Sequence, residues 1–382
     1  MFRHKVTCPL CFESIKISDI GFKCDAPSCH GTTEIFRSKS EIPLLEKMGL
    51  LPAPRQILHT CNNMATLRIC PKCKQEIPTE IDGLSDLSIA IIGAKETGKS
   101  HYVAMLIHRI KQMASEFSWN LTALTEDTIY RYKEEFYRPL FMRHETIKIT
   151  QPIRGVGQAC PLIYSLRLKR GLFSKRIMLV FFDAAGENLE QTDSLWYINR
   201  YICNASGIIC LLDPLQLRRV REGILRKYNE NVLPAQNTET GIIINRVERL
   251  IRKNTQIGGK RIKIPLAIAF SKMDFVKDSS ENAAEISKRI FDETRHRGAF
   301  NESEFTEIDG LMRSWIEDVD DTADIIASSE NFSQSGFFGF SALGCNPKGN
   351  NERLDRDPRS FRVEDPFLWI LKKYGLINST KG

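Results

Sequence analysis

Residues 87–100 read Leu-Ser-Ile-Ala-Ile-Ile-Gly-Ala-Lys-Glu-Thr-Gly-Lys-Ser, and no other stretch of the chain restricts the fold as strongly. The apolar run 87–92 predicts a buried strand. It passes into Gly93 and, four residues later, into Gly98-Lys99-Ser100, the spacing of a phosphate-binding loop. Beyond it Tyr102, Val103, Leu106, Ile107, Ile110 and Met113 recur at helical spacing. Strand, glycine-rich turn and helix in this order place Gly93, Ala94, Lys95, Glu96, Thr97, Gly98, Lys99, Ser100 and His101 around a phosphate chain, with backbone N–H groups and the positive helix end facing it. Lys99 is expected to reach the β- and γ-phosphates and Ser100 to hold Mg²⁺.

The chain has 382 residues, room for two or three domains. Apolar residues make up 42% and charged residues 26%, the balance of a globular protein, and no stretch is long and apolar enough to span a membrane. The first residues lack the apolar core of a secretion signal, so a cytoplasmic location with reduced cysteines is expected. The net charge of +7 divides into +3 over residues 1–80 and +4 over the remainder. An excess spread this evenly gives little support to nucleic acid as a partner. The denser basic stretches, 218–227 and 246–263, read as solvated helix faces.

Seven of the eleven cysteines precede residue 74, as Cys8-Pro-Leu-Cys11, Cys24 and Cys29, Cys61, and Cys70-Pro-Lys-Cys73. Two Cys-Pro-x-Cys knuckles predict zinc, because each tight turn aims two thiolates at one ion. Two sites need eight ligands. Seven cysteines and His59, two residues before Cys61, supply them, with His30 as the alternative histidine. The pairs can be used in order, crossed, or joined as one ribbon from the two knuckles, so the expectation is one or two zinc ions. Residues 1–80 carry few apolar side chains, and a structural zinc supplies roughly 10–16 kcal/mol of apparent binding energy. They read as a zinc-ribbon domain for recognition or docking. A linker with Pro78 and Gly83 follows, and a second domain covers 85–382.

The stretches after the phosphate loop divide between core and chemistry. Residues 125–144 read as a polar, helical insertion whose aromatic residues belong to a core. Residues 160–168 alternate as a strand, preceded by Thr150, the candidate to close over Mg²⁺ and the γ-phosphate, with Thr146 as the alternative. The apolar run 177–182 reads as a central parallel strand and ends in Asp183-Ala-Ala-Gly186-Glu187. There Asp183 can hold Mg²⁺ through water, and the Gly186 N–H can sense the γ-phosphate. Strands near 207–212 and 265–270 end in Asp213-Pro214 and Ser271-Lys272-Met273-Asp274. A carboxylate at Asp274 can accept both the N1–H and N2–H₂ donors of guanine, a pair adenine lacks. Lys272 would lie along the base. Residues 337–340 form a last strand into Ser341-Ala342, whose backbone N–H groups can reach guanine O6.

Residues 93–100, 183–186, 271–274 and 341–342, in this order, resemble the Ras-like GTPase superfamily over residues 85–376. The front end, the Asp-Ala-Ala-Gly-Glu variant and large inserts near 110–145, 214–262 and 275–330 are similar to bacterial double-GTPase proteins of conflict systems. The resemblance implies an α/β fold with a mostly parallel sheet and flanking helices, and a GTP/GDP switch with Mg²⁺. It also implies a protein partner, such as a second GTPase in anti-phage defence. Glu187 stands where many relatives have glutamine and should slow hydrolysis. Ser271 stands where asparagine or threonine is usual and should brace its loop less well. Arg218 or Arg219 can serve as a finger residue. The other reading is an ATPase or a nucleotide-locked scaffold whose zinc domain binds nucleic acid or protein.

Overall fold

A computed structural model describes residues 5–29, 34–148, 161–170, 173–182, 195–227, 233, 240–255, 258–277, 279–319, 322–345, 347 and 353–381. The phosphate-loop strand β1 (Ser85–Gly93) lies in the middle of a seven-stranded sheet. The others are β2 (Trp119–Ala123), β3 (Leu162–Arg170), β4 (Phe173–Phe181), β5 (Gly207–Leu212), β6 (Leu266–Phe270) and β7 (Ser335–Gly339), in the order β2-β3-β4-β1-β5-β6-β7. β4, β1, β5, β6 and β7 run parallel, and β3 pairs antiparallel with β4 and β2. The continuous apolar runs of β5 and β6 are buried throughout, as strands covered on both faces must be.

Alternate residues of β1 face opposite layers. Leu87, Ile89 and Ile91 join one buried cluster with α1 (Lys99–Gln112) and the C-terminal helix Asp365–Lys373. Ala90 and Ile92 join the other, with residues of the helices Thr240–Thr255, Glu281–Phe291 and Glu302–Glu317. That second cluster also takes in Val6, Phe12, Ile15 and Ile17 from the cysteine-rich front end.

The structure moves several sequence expectations. The strand expected at 160–168 runs to Arg170, and the one expected at 177–182 starts at Phe173, because a long antiparallel hairpin pairs Arg170 with Phe173. The turn residue Gly171 lies outside the described residues. β2 was not expected. It is a five-residue edge strand with solvent on one face, so its periodicity is faint, and Trp119 anchors it by donating from Nε1 to the Ile110 carbonyl at 2.8 Å. Residues 125–144 form an α-helix (Glu126–Arg131) that widens into a π-helix (Tyr132–Met142). Tyr132 and Phe136 are buried there as a core stripe should be, but Tyr130 and Tyr137 are exposed.

The cysteine-rich end sits against the sheet through specific contacts. Thr7 N donates to Asp86 Oδ2 at 3.0 Å, and Glu13 pairs with Arg200 at 2.5 Å. The Phe12 ring lies 4.9 Å from the ring of Tyr201 and 6.1 Å from that of Phe182. Tyr201, on α2 (Leu195–Cys203), has a structural task of its own. The β1–β4 ladder ends at the Ser88–Val180 pair, and beyond it the Tyr201 hydroxyl donates to the Ile89 carbonyl at 2.7 Å and accepts from Ile91 N–H at 3.1 Å. A side-chain hydroxyl thus satisfies two buried backbone groups that strand pairing leaves open.

Tyr201→Phe should orphan both groups and lower stability by about 1–3 kcal/mol in urea unfolding. An unchanged midpoint would show that the hydroxyl does not carry this part of the sheet.

Candidate nucleotide site and metal centres

The phosphate loop closes on itself. Lys99 Nζ donates to the carbonyls of Gly93 (3.1 Å) and Ala94 (2.7 Å), and Thr97 Oγ1 donates to Ala94 O at 2.9 Å. Gly93 is required by space: a Cβ there would meet Leu211 O and Thr97 Oγ1 at 2.7 Å. Gly98 is required by conformation, with φ of +86° at the N-cap of α1. Glu96 also takes a positive φ, 64°, a strained state for a residue with a Cβ. The loop is therefore built for close approach to its backbone, as a phosphate cradle requires.

The base end gathers at the C-terminal ends of β5, β6 and β7. Lys272 adopts a left-handed conformation (φ 52°), and its Nζ is held 2.7 Å from Oδ2 of Asp213. Asp213 is buried and also accepts from Leu215 N–H at 3.0 Å. Sequence reading placed Asp213 at a strand end but gave it no partner; it fixes the lysine. Asp274 is half-buried. Burial pushes its carboxyl above the usual carboxylate range, opposed by a hydrogen bond from the Ser341 hydroxyl. Ser271 reaches its neighbour despite its short side chain, donating from Oγ to Leu212 O at 3.2 Å, so the loop is braced.

One expectation needs correction. The Ser341 N–H pairs with the Phe361 carbonyl at 3.1 Å, so it is not available to a base oxygen. The Ser341 hydroxyl, whose influence opposes the upward push on the Asp274 carboxyl, accepts from Gly344 N–H at 3.0 Å, and Ala342 is left as the residue to offer an N–H. Arg218 pairs with Glu222 at 3.3 Å and Arg219 donates to the Asp318 carbonyl, so both finger candidates have local partners.

Thr150, Asp183, Gly186 and Glu187 lie outside the described residues. The segment leading to Thr150 is tied to α1: Ile147 N–H donates to His101 Nε2 at 3.1 Å. Burial, and to a lesser degree the charge of Lys272, holds the His101 pKa down to about 4. The ring therefore stays neutral and remains an acceptor near pH 7.

The eight expected zinc ligands form two groups, Cys8–Cys11–Cys70–Cys73 and Cys24–Cys29–His59–Cys61, each with its ligand atoms within 4.8 Å of one another. The pairing is nested: the two knuckles make the outer site and enclose the inner one. In the outer site the Cys8–Cys73 and Cys11–Cys70 sulfurs are 4.0 and 3.9 Å apart. A tetrahedral zinc with bonds of ~2.3 Å sets such edges at about 3.8 Å, so the donors fit. The knuckles repeat one geometry. Phe12 and Lys74 follow them with φ of 56° and 60°, and Leu10 N and Lys72 N each donate at 3.4 Å to the first sulfur. In the inner site Cys24 and Cys61 are 3.7 Å apart, and His59 Nδ1 lies 3.0 Å from Cys61 and 3.7 Å from Cys29. A hydrogen bond from Asn63 holds the Cys61 thiol down to about 6, favouring the ligating thiolate.

With this geometry in hand, residues 87–327 match the family described as Double-GTPase 2, well over half of the chain. The chain belongs to the Double-GTPase 2 family. A curated relative, the putative ESX-1 scaffolding and assembly protein SaeC of Mycolicibacterium smegmatis, is 26% identical over 81% of each chain. Among solved structures, the Arl6 BBS3 small GTPase of Trypanosoma brucei is 12% identical, with a TM-score of 0.32 over 76% of this chain and 98% of its own. The putative nucleolar GTP-binding protein 1 of Plasmodium falciparum is 13% identical, with a TM-score of 0.27 over 78% and 92%. Among the described residues of this Double-GTPase 2 member no helix is long and apolar enough to cross a membrane.

Metal analysis of the purified chain should return two zinc ions, and His59→Ala should release one while the knuckle site keeps its own. A wild-type content of one would break the two-site assignment.

Proposed function

We propose that the chain is a GTP-dependent switch that hydrolyses GTP slowly to GDP and phosphate and passes its nucleotide state to a protein partner. The observation that carries this reading is Asp274, shielded at the strand ends, beside Lys272 held by Asp213, on the same side of the sheet as the phosphate loop. Each charge-assisted bond from guanine N1–H and N2–H₂ to a shielded carboxylate is worth about 1.5–3 kcal/mol, and adenine offers neither. This favours the switch over an ATPase.

In this reading Lys99 contacts the β- and γ-phosphates, the 93–101 backbone cradles them, and Ala342 N–H meets guanine O6. Ser100, Asp183 and Thr150 would hold Mg²⁺, which would neutralise phosphate charge. Gly186 would sense the γ-phosphate, and Glu187 would keep unaided hydrolysis slow. The relative named for scaffolding and assembly supports a partner that is a component of a protein assembly. A reducing, cytoplasmic setting suits the thiolate sites.

The front end is the proposed route outward. Phe12 follows a zinc ligand and packs on Phe182, the residue before Asp183, and on Tyr201, which bonds the backbone of β1. Movement at Asp183 would therefore be felt at the knuckle, and the reverse.

Competition for labelled nucleotide in Mg²⁺ should give GTP a preference over ATP of about a hundredfold or more, consistent with two such bonds, and Asp274→Ala should erase it. Equal competition by ATP would sink the guanine reading, and turnover of tens per second unaided would sink the slow switch. The preference also has a pH sign. Only the ionised carboxylate accepts both donors, and burial raises its pKa, so selectivity should start to fall on acidification at a pH above the ordinary carboxylate value of about 3.9. Phe12→Ala should change GDP affinity by about fivefold or more, a typical coupling, with both zinc ions retained. Unchanged affinity would disconnect the knuckle from the nucleotide.

A further inference from the structure

Beside the base end lies a cavity of about 1020 Å³ that does not include the phosphate loop. Asp274 stands at one end, the helix Glu281–Phe291 forms one wall, and the segment 356–361 forms another. Its size is at the upper end for small-molecule sites.

The lining is strongly one-sided in charge. Lys277, Lys288, Arg356 and Arg359 line it against two carboxylates, Asp274 and Asp357. Asp357 already meets His144 Nε2 at 2.9 Å. Arg356 donates to the Gly344 carbonyl at 2.7 Å, a contact that leaves its charge uncompensated. Among the described residues, Lys277 and Lys288 form no ion pair. Cations converging on one concave surface repel one another unless an anion lies between them.

Aromatic rings complete the lining. Phe291 and Phe361 meet edge to face with ring centres 4.5 Å apart, and the Arg359 guanidinium lies 5.2 Å from the Phe361 ring. Rings beside cations suit a ligand that joins a flat aromatic body to an anionic group. Inorganic phosphate would leave the rings unused, and an uncharged ring would leave the cations unused.

We propose that this cavity is a second nucleotide site. It takes a nucleoside phosphate with its base against Phe291 and Phe361 and its phosphate between Lys288 and Arg359. The site does not depend on guanine at Asp274, but an occupant would sit next to that carboxylate. Binding there would alter affinity at the base end, and by reciprocity GTP or GDP would alter binding in the cavity.

The test is calorimetric titration of AMP into the full chain saturated with GDP and Mg²⁺. AMP is chosen because the guanine-binding loop should not retain it. A binding event should appear and weaken at least tenfold in Lys288→Glu/Arg359→Glu. Both side chains are exposed, and GDP affinity within twofold of wild type will show that the variant is folded. Adenosine and inorganic phosphate should each bind at least tenfold more weakly than AMP. No event, an event unchanged in the variant, or phosphate binding as tightly as AMP would each overturn the proposal. Should the chain fail to bind GDP, the guanine reading falls alone. AMP binding to the unliganded chain, lost in the same variant, would still support the cavity.

Discussion

Four sulfur atoms about 4 Å apart repel one another once ionised, and a cation at their centre turns that repulsion into attraction. Much of the chain depends on this balance. The two knuckles are separated by about sixty residues; antiparallel pairing of Gly21–Lys23 with Leu67–Ile69 helps to bring them together, and a shared ion would lock that approach. Once joined, they present Val6, Phe12, Ile15 and Ile17 to the same buried cluster as Ala90 and Ile92 of the phosphate-loop strand. A metal there would support more than a small appended module: it would hold in place part of the apolar layer behind the phosphate loop.

The opposite end of the sheet follows another rule. In parallel α/β sheets the loops that bind ligands leave the C-terminal strand ends, where helix N-termini and unpaired backbone groups gather. Here the ends of β1, β5, β6 and β7 supply the phosphate loop, Asp213, Ser271–Lys272–Asp274 and Ser341–Ala342. Their neighbours in space are far apart in sequence. Asp213 holds Lys272 across fifty-nine positions, and Ser341 comes close enough to influence Asp274 across the whole insert that carries the helices Glu281–Phe291 and Glu302–Glu317. Each charged group with a task has a second group that fixes it, which is how a site keeps its geometry before a ligand arrives.

This division explains what the sequence discloses. The α/β sheet was legible because its buried parallel strands are continuous apolar runs, and the phosphate loop because its glycines answer to local geometry at Gly93 and Gly98. The eight candidate metal ligands were legible because their chemistry admits few other uses. Their nested pairing was not, since spacing along the chain does not record which knuckle meets which. β2 escaped because an edge strand with one wet face carries little periodicity. The loss of the Ser341 N–H to Phe361 was invisible because it depends on a backbone partner twenty positions away. Asp213 and Tyr201 were hidden for the same reason: their partners are fixed only by the finished fold.

Tyr201 is where the two ends meet. Its ring meets that of Phe182 edge to face at 5.1 Å and lies tilted 4.9 Å from that of Phe12, and its hydroxyl bonds the backbone of β1 on the way to Gly93. A closed β1–β4 ladder would have needed no such plug. With the ladder open beyond Ser88, the end of β4 next to Asp183 is joined to β1 through side chains instead of the backbone ladder. Side-chain contacts can rearrange at lower cost than a row of buried backbone hydrogen bonds. The proposed nucleotide switch would use that freedom at the strand that leads to Asp183, and the ring of Phe12 would keep it bounded. The cysteine knuckle and the phosphate loop thus pack on one strand end through Tyr201.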